Sequence, residues 1–293
     1  MHRLARLATL LGLCLIAATA WPQPAKKHFM WRVTDAKGSA LYLLGSLHVL
    51  TPEFYPLSAE IEKAFELSTV LVEEVDLEEM NNPAALLPMM GKAMFTDGRT
   101  LDQVVSAATY ADVTRRAEKA HLPILAVQRM KPWMAAVALT VPILQAAGFD
   151  PNLGVDKHFF DKAKAAGLER RGLETVAYQL DRFDQLSPAL QEAMLTSTLA
   201  ELDTQVANVK EVAAAWASGD TATLEREMLA SMRESPELYD RLLVERNQNW
   251  VSHIDACLLQ DAKCFVVVGA AHLVGPHGLP ALLAKKGYDV RQQ

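Results

Sequence analysis

Three common catalytic motifs are missing from this sequence. It contains no His-Glu-x-x-His, no Gly-x-Ser-x-Gly and no Gly-x-x-x-x-Gly-Lys-Ser/Thr. In other proteins these motifs supply the zinc ligands of zincins, the nucleophile of α/β-hydrolases and the phosphate loop of P-loop nucleotide hydrolases. The chain is therefore a poor candidate for each of those three classes.

Basic tracts and low-complexity runs are missing as well. The formal net charge of the 293 residues is −6, and the positive side chains do not gather into a patch interleaved with aromatic residues. Nucleic acid is therefore not an expected partner. The hydrophobic content of 51% is ordinary for a globular chain, so we expect a soluble, folded protein with a sizeable core.

The N-terminal apolar run, at residues 7–18, is shorter than the ~20 residues needed to cross a bilayer. It follows Arg3 and Arg6 and precedes the small residues Ala-Thr-Ala, which is the order of a secretory signal peptide. We expect residues 1–20 to be a signal peptide that is cleaved after Ala20. Loss of the two arginines changes the net charge from −6 to −8. The mature chain is then expected in the periplasm, with no stable membrane anchor.

Cysteine is scarce, with three residues in the whole chain. Cys14 lies inside the apolar run and is not followed by small residues, so we do not expect it to be lipidated. Cys257 and Cys264 remain after cleavage, and an even pair in an exported protein favours a disulfide bond. Their spacing does not match the short ligand spacing of a zinc knuckle.

Hydrophobic periodicity predicts a mixed α/β fold. We expect one domain over residues 21–293, in which the N- and C-terminal segments build a central mixed β-sheet around a mostly helical insertion at about 81–250. Gly38 can supply the positive φ of a hairpin turn, and Pro132 can open an apolar helix that is interrupted or kinked at Pro142. Strands are predicted at about 29–35, 40–48, 69–77, 168–174, 263–272 and 288–293.

The pattern Gly-x-x-His occurs twice, each time at the end of an apolar strand. It is found in ALYLLGSLHVL with Gly45 and His48, and in CFVVVGAAHLVG with Gly269 and His272. Glycine permits a sharp bend or a close backbone approach, and ligands of open α/β sheets bind where the strands end. A single histidine in such a place is usually structural. Two, from opposite ends of the chain, favour a shared site, because imidazole is both a common metal ligand and a general base.

A carboxylate to complete such a site is offered by the stretch VLVEEVDL. Strand alternation puts Glu74 and Asp76 on one face and Glu73 on the other. An unpaired acid is costly to bury, so one of them is expected to face a metal ion or another cation. The simpler interpretation, in which both glutamates are solvated at a strand end, stays open.

These motifs resemble the TraB/GumN family, which is related to the Tiki metalloproteases. The resemblance implies a sheet of the erythromycin-esterase-like/ChaN type and, as in the Tiki branch, a divalent metal held for proteolysis by His48, Glu74 and His272. Glu74 is favoured because the family has an acid followed two residues later by Asp, here Asp76. Tiki proteins are membrane-tethered, whereas this chain is expected to have no anchor after signal cleavage, so its substrate stays open. The resemblance runs from Trp31 to Val290 and is carried by LYLLGSLHVL, VLVEEVDL, LGVDKHFFDKAKAAG, GLETVAYQL, ERNQNW and VVVGAAHLVGPHGLPALLAKKGYDV.

Four further residues are candidates for the site. Asp156 and Glu174 match family positions, although the first could only favour a helix N-terminus and the second could be a surface acid. Arg246 is a candidate catalytic residue that binds a substrate carboxylate or orients Glu74, with a surface ion pair as the alternative. His277, in a Gly-Pro-His-Gly loop, is expected to be exposed, with a role behind the metal ligands as the lesser possibility.

The function predicted from these residues is that of an exported, metal-dependent, peptidase-like hydrolase acting on a peptide or protein. Imidazole and carboxylate ligands are compatible with Mn, Co, Zn or Fe(II), so the divalent ion is not specified. Two alternatives stay open. One is a non-catalytic periplasmic protein that binds a peptide or cofactor, and the other is a metal-free esterase with His48 as the base.

Overall fold

The computed structural model describes residues 27–80, 83–260 and 262–293, so the predicted signal peptide lies outside the described residues. The fold is mixed α/β, as predicted. One sheet contains the strands β1 (Met30–Thr34), β2 (Ala40–Ser46), β3 (Val70–Glu73), β4 (Glu169–Gly172), β5 (Cys264–Gly269) and β6 (Asp289–Gln292). Their order across the sheet is β4-β3-β5-β2-β1-β6.

Helices occupy most of the chain between β3 and β5. Short 3₁₀ turns lie at Pro52–Phe54, Leu101–Gln103, Pro151–Leu153 and Ala270–Leu273, and a π-helical turn lies at Asp240–Val244. The α-helices are α1 (Ala59–Glu66), α2 (Leu77–Met80), α3 (Pro83–Ala93), α4 (Ala107–Lys119), α5 (Ile124–Val127), α6 (Pro132–Ala146), α7 (Val155–Ala166), α8 (Val176–Asp184), α9 (Pro188–Glu201), α10 (Gln205–Ser218), α11 (Thr221–Arg233), α12 (Pro236–Tyr239), α13 (Glu245–Leu259) and α14 (Leu279–Lys285).

The predicted hairpin joins β1 and β2 in antiparallel register. Gly38 has φ +95°, a left-handed conformation that costs glycine little. The Asp35 carboxylate closes the turn by accepting hydrogen bonds from the backbone N–H groups of Lys37 and Ser39 at 2.9 and 2.8 Å. The hairpin fixes β1 at the antiparallel side of the sheet, where it also pairs with β6.

The strands β2, β5 and β3 are parallel neighbours, with β5 in the middle. Ser46 of β2 lies opposite Gly269, and Glu73 of β3 lies opposite Val267. Parallel strands end at the same edge of a sheet. The two Gly-x-x-His segments and the acidic end of β3 therefore share one edge, as predicted.

Two hydrophobic clusters stabilise the domain. The larger surrounds the sheet, whose central strands β3 and β5 are almost entirely buried, and the smaller joins α4, α5, α6 and α9. Pro142 lies inside α6 and does not end it, contrary to an interrupted helix. The predicted helical insertion returns to the sheet through β4 at its edge. Among the described residues, no helix is both long and apolar enough to span a bilayer.

Cys257 and Cys264 lie at disulfide distance, with their Cα atoms 6.1 Å apart. The pair connects α13 to the start of β5. We expect both thiols in natively exported protein to resist alkylation until they are reduced. Opening the short loop should cost about 2.5 kcal/mol of unfolding free energy on the chain-entropy estimate. Urea unfolding of the Cys257→Ser/Cys264→Ser protein measures this loss, and rapid alkylation of both native thiols would contradict the bond.

Candidate active site

A cavity of about 680 Å³ lies at the sheet edge where β2, β5 and β3 end. It is bordered by the loop after β2, the segment after β3, and one side of α7. This is where ligands of open α/β sheets bind. We call it the cleft. Its lining residues that carry the following argument are Ser46, His48, Glu73, Glu74, Asp156, Gln179 and Gly269.

Gly269 is the point on which His48, Glu74 and His272 converge. A Cβ added to this glycine would lie 3.0 Å from Glu74 Oε1, 3.7 Å from His272 Cδ2 and 3.8 Å from His48 Nε2. The Gly269 backbone N–H donates to Glu74 Oε1 at 2.7 Å. Any other residue at this position would crowd the carboxylate. The structure therefore brings together the three residues that were selected from the sequence, and it explains the second glycine by close approach.

The His48 imidazole is oriented by an acid. Its Nδ1 is 3.2 Å from Asp156 Oδ2, and Ser46 Oγ donates to the other Asp156 oxygen at 2.8 Å. The Asp156 charge raises the pKa of His48 to about 9. In turn, the His48 charge and the two hydrogen bonds lower the pKa of Asp156 although burial opposes this. With Nδ1 engaged, His48 Nε2 is left to face the cleft.

Glu74 is held as a carboxylate by three donors. Besides Gly269, its Oε2 accepts hydrogen bonds from Gln179 Nε2 at 2.9 Å and from an Arg246 nitrogen at 2.5 Å. Burial by itself raises the pKa of Glu74. The positive charges around it, from His272 when protonated and from Arg246, lower that pKa to about 2. Glu74 is therefore ionised at neutral pH.

Arg246 is a buried residue of the site and not a surface residue. It forms an ion cluster with Glu74 and Glu174. Only 6% of it is exposed, and its guanidinium bonds Glu74 on one side and Glu174 at 2.7–3.2 Å on the other. Burial opposes its charge, but the two carboxylates together raise the pKa of Arg246. The Trp250 ring lies 4.7 Å below the guanidinium, and the Trp250 N–H donates to Glu174 at 3.0 Å.

His272 is buried and has a defined tautomer. An arginine nitrogen only donates, so His272 Nε2, 3.1 Å from Arg246, is the acceptor. The other ring nitrogen then carries the proton and donates to Asn247 Oδ1 at 2.6 Å. Burial, reinforced by the Arg246 charge, lowers the pKa of His272 to about 3. The ring is therefore neutral at pH 7.

Asn247 fixes the orientation of His272. Its amide nitrogen donates to the backbone carbonyls of His272 and His277 at 3.3 and 2.8 Å, while its oxygen accepts the imidazole proton. The variant Asn247→Leu should lose about 1–3 kcal/mol of unfolding free energy, because buried polar groups lose their partners. If His272 ligates a metal ion, the affinity of the Asn247→Leu protein for that ion should also be about 10–100-fold lower than that of the wild type. Denaturant unfolding and metal titration measure the two effects.

The matched control for this change is Asn249→Leu. Asn249 lies on the same helix, is exposed, and bonds the Tyr178 hydroxyl at 3.2 Å. It should change stability by no more than about 0.5 kcal/mol. Equal losses in the two variants would remove the special role assigned to Asn247.

Strand alternation predicts that Glu73 points to the side of the sheet opposite Glu74, but its side chain lines the same cleft. β3 ends at Glu73, so Glu74 turns toward Gly269 from outside the strand, while Glu73 lines the same cavity. Glu73 is 3% exposed, and its Oε1 is buried without a hydrogen-bond partner. Burial, supported by the negative charges of Asp156 and Asp76, raises the pKa of Glu73 to about 9. The expectation that the strand separates Glu73 from the site is therefore wrong.

Other predicted residues have varied positions. Glu174 belongs to the buried ion cluster with Arg246 and Glu74. Burial raises the pKa of Glu174, although the Arg246 charge acts to lower it. Asp76 instead accepts a hydrogen bond from the Glu78 backbone N–H at 2.9 Å at the start of α2. The His277 ring is exposed, and its backbone carbonyl supports Asn247. Gly45 allows close packing, because a Cβ there would lie 2.2 Å from the Phe29 ring.

Four site residues were not identified from the sequence, namely Ser46, Gln179, Asn247 and Trp250. All four lie inside the motifs LYLLGSLHVL, GLETVAYQL and ERNQNW. Their neutral side chains carry no charge signal, so their only sequence signal is membership of these motifs.

Comparison with known proteins finds similarity over nearly the whole chain. A model of the TraB/PrgY/gumN family matches residues 29–292. The chain is 23% identical over 268 residues to the uncharacterized protein YbaP of Escherichia coli K12, covering 90% of this chain and 97% of YbaP. It is 21% identical over 279 residues to an uncharacterized protein of Treponema pallidum strain Nichols, covering 89% of this chain and 81% of that protein. No solved structure matches the chain.

Proposed function

Because the chain belongs to the TraB/PrgY/gumN family, and because two imidazoles and a carboxylate converge on Gly269, we propose that it is a metal-dependent hydrolase. Its substrate is a peptide or protein that enters the cleft. The observation that carries the proposal is that both histidines are held through Nδ1, by Asp156 and Asn247. Metal-ligating histidines typically have such a partner.

The donor set fits a divalent ion after a local adjustment. Glu74 Oε1 and His272 Nε2 are 3.9 Å apart, within the separation that two ligands at ~2.1 Å from one ion can have. As placed, no three His, Cys, Asp or Glu side chains of the described residues could hold an ion. His48 is the side chain free to move, because 67% of it is exposed. Arg246 must also release His272 Nε2.

Each residue then has a defined task. His48, Glu74 and His272 would hold the ion, and Gln179 and Gly269 would keep Glu74 in place by donating to it. The ion would polarise a carbonyl and activate water near neutral pH. Arg246 would keep Glu74 ionised and oriented, since its guanidinium is buried against Glu74 and Glu174 and not directed at a substrate anion. Mixed imidazole and carboxylate ligation suits Mn, Co, Zn or Fe(II).

A second candidate function is metal-free ester hydrolysis. The Arg246 contact with His272 Nε2 favours it, because the guanidinium occupies the lone pair that a metal needs. In that reaction His48, oriented by Asp156 with Nε2 facing the cleft, would be the general base in its deprotonated form, so the rate should rise with pH up to about 9. The third possibility, a non-catalytic protein that binds a peptide or cofactor in the same cleft, is an outcome of the experiment below.

The three functions separate in one experiment. Purified protein is analysed for bound metal by mass spectrometry, and its cleavage of a peptide library and of nitrophenyl esters is measured with and without chelator. Peptide cleavage that the chelator abolishes and Mn, Co, Zn or Fe(II) restores is the expected result. Ester cleavage that is insensitive to chelator would support the second function. A co-purifying ligand without turnover of either substrate would support the third.

We propose export to the periplasm from the N-terminal signal pattern, with the Cys257–Cys264 pair as support. The mature protein should begin at Trp21, because Ala18 and Ala20 are the small residues at the cleavage positions. Mass spectrometry of protein recovered from the periplasm measures the N-terminus. Recovery of a chain that still carries Met1 would contradict the cleavage.

A further inference from the structure

Glu73 is a buried acid of the cleft that the proposed function does not use. Its side chain lines the cavity, yet Oε1 has no hydrogen-bond partner. Buried polar atoms without partners are few in native proteins, and each needs an explanation such as a missing ligand. Glu73 is 3% exposed, and a buried carboxyl oxygen without a partner costs free energy until a donor reaches it.

The cleft extends from the Gly269 end, where Glu73 lies opposite Val267, along α7. Asp156, Phe160 and Lys164 all line the cavity, and their spacing of four residues places them on one face of the helix. At 1.5 Å per residue they span ~12 Å. Val75 and Leu77 line the cavity with them. A substrate bound at His48 therefore has room for an apolar stem along this face, in the same cavity that Glu73 lines.

The charge around Glu73 attracts cations. The carboxylates of Asp156, Asp76 and Asp161 all act on it. Two lysines also line the cavity, but each already has an acidic partner. Lys157 Nζ is 2.5 Å from Asp161 Oδ2, and Lys164 Nζ is 2.8 Å from Glu78 Oε2.

Arg170 is the remaining positive charge that acts on Glu73. Its guanidinium stacks 5.4 Å from the centre of the Phe160 ring and lies 3.9 Å from Glu78. These contacts keep it beside Phe160 at the wall. The raised pKa of Glu73, about 9, leaves its carboxyl protonated at neutral pH. A cation beside the carboxyl would favour its ionised form, displace that proton and complete the hydrogen bonding of Oε1.

We propose that Glu73 is a recognition residue for a cationic group of the substrate, an ammonium or guanidinium at the end of an apolar stem that lies along α7. The proposal rests on the proposed function only in taking this cavity as the substrate cleft. It makes substrates with lysine-like or arginine-like side chains the preferred class. It concerns binding, so it does not depend on whether a metal or a general base performs the hydrolysis.

The test uses benzamidine, a small amidinium on an apolar ring, and its neutral analogue benzamide. Binding of each to the full mature protein in the presence of chelator is measured by calorimetry. We expect wild-type protein to bind benzamidine at least tenfold more tightly than benzamide. Glu73→Gln should lose at least tenfold in benzamidine affinity and should not change benzamide binding. The matched control is Glu211→Gln, which removes an exposed carboxylate outside the cleft that is paired with Arg226, and it should change benzamidine affinity less than twofold.

Equal binding of the two probes by wild-type protein would overturn the proposal, as would equal losses in the Glu73 and Glu211 variants. If Glu73→Gln does not fold, a crystal structure of wild-type protein with benzamidine decides. The amidinium should lie within hydrogen-bond distance of the Glu73 carboxyl, and a probe bound elsewhere refutes the assignment. Because no step requires turnover, a protein without hydrolytic activity can still pass or fail this test.

Discussion

Alanine at His48, Glu74 or His272 should each abolish chelator-sensitive hydrolysis, with losses of about 10³-fold or more that are similar among the three. The three side chains converge within 4 Å of the same point beside Gly269, so removing one leaves the others without a shared ion. Members of one unit are not additive, and the His48→Ala/His272→Ala double variant should be no worse than either single variant. Initial rates and metal content by mass spectrometry measure both effects.

The matched control is His253→Ala. His253 is an exposed histidine on α13, the helix that carries Arg246, and its ring contacts the backbone carbonyl of Asn249 at 3.3 Å. Its metal content and rate should equal those of the wild type. A His272→Ala protein that keeps full metal and full activity would eliminate the shared-ion site. Loss of activity only in His48→Ala, insensitive to chelator, would instead favour His48 as a metal-free base.

The strands and their connections were predictable because they depend on residue patterns within short stretches of sequence. The hairpin follows from the alternating strands on either side of Gly38, and the crossover helix α1 between β2 and β3 follows from its 3.6-residue period. The strands that flank this crossover run parallel, with β5 between them, and their ends therefore lie at one edge of the sheet. What the sequence could not provide was strand length. β3 ends at Glu73, and this early end is why two adjacent acids both reach the cleft.

The site was predictable where charge or glycine marked it. His48, Glu74 and His272 are conspicuous at the ends of apolar strands, whereas Asn247 and Gln179 are neutral residues on helices. Their roles depend on how α13 and α8 pack against the sheet, which places Asn247 beside His272, 25 residues away in sequence, and Gln179 beside Glu74, 105 residues away. Arg246 shows the same limit, because only tertiary packing turns a charge in a helix into a buried partner of Glu74 and Glu174.

Arg246→Met should be the most destabilising single change in the cleft, by about 3–5 kcal/mol, because removing one member of a buried ion cluster leaves uncompensated charge. Methionine keeps the apolar stem over Trp250 but leaves Glu74 and Glu174 without their shared donor. Urea unfolding at neutral pH measures the loss. The control Arg226→Met removes an ion pair with Glu211 in which both side chains are more than half exposed, and such pairs contribute only about 0–1 kcal/mol.

The loss of unfolding free energy in Arg246→Met should depend on pH with a definite sign. The folded-state pKa of Glu74 is about 2, below its ordinary 4.5, so its ionisation stabilises the fold above pH 4.5. That contribution is lost as the pH falls from 4.5 toward 2. Without Arg246 the pKa of Glu74 must rise, and the gap in stability between wild type and Arg246→Met should narrow over that range. A gap that stays constant from pH 7 to pH 3 would mean that Arg246 stabilises the protein by packing over Trp250 and not by its charge.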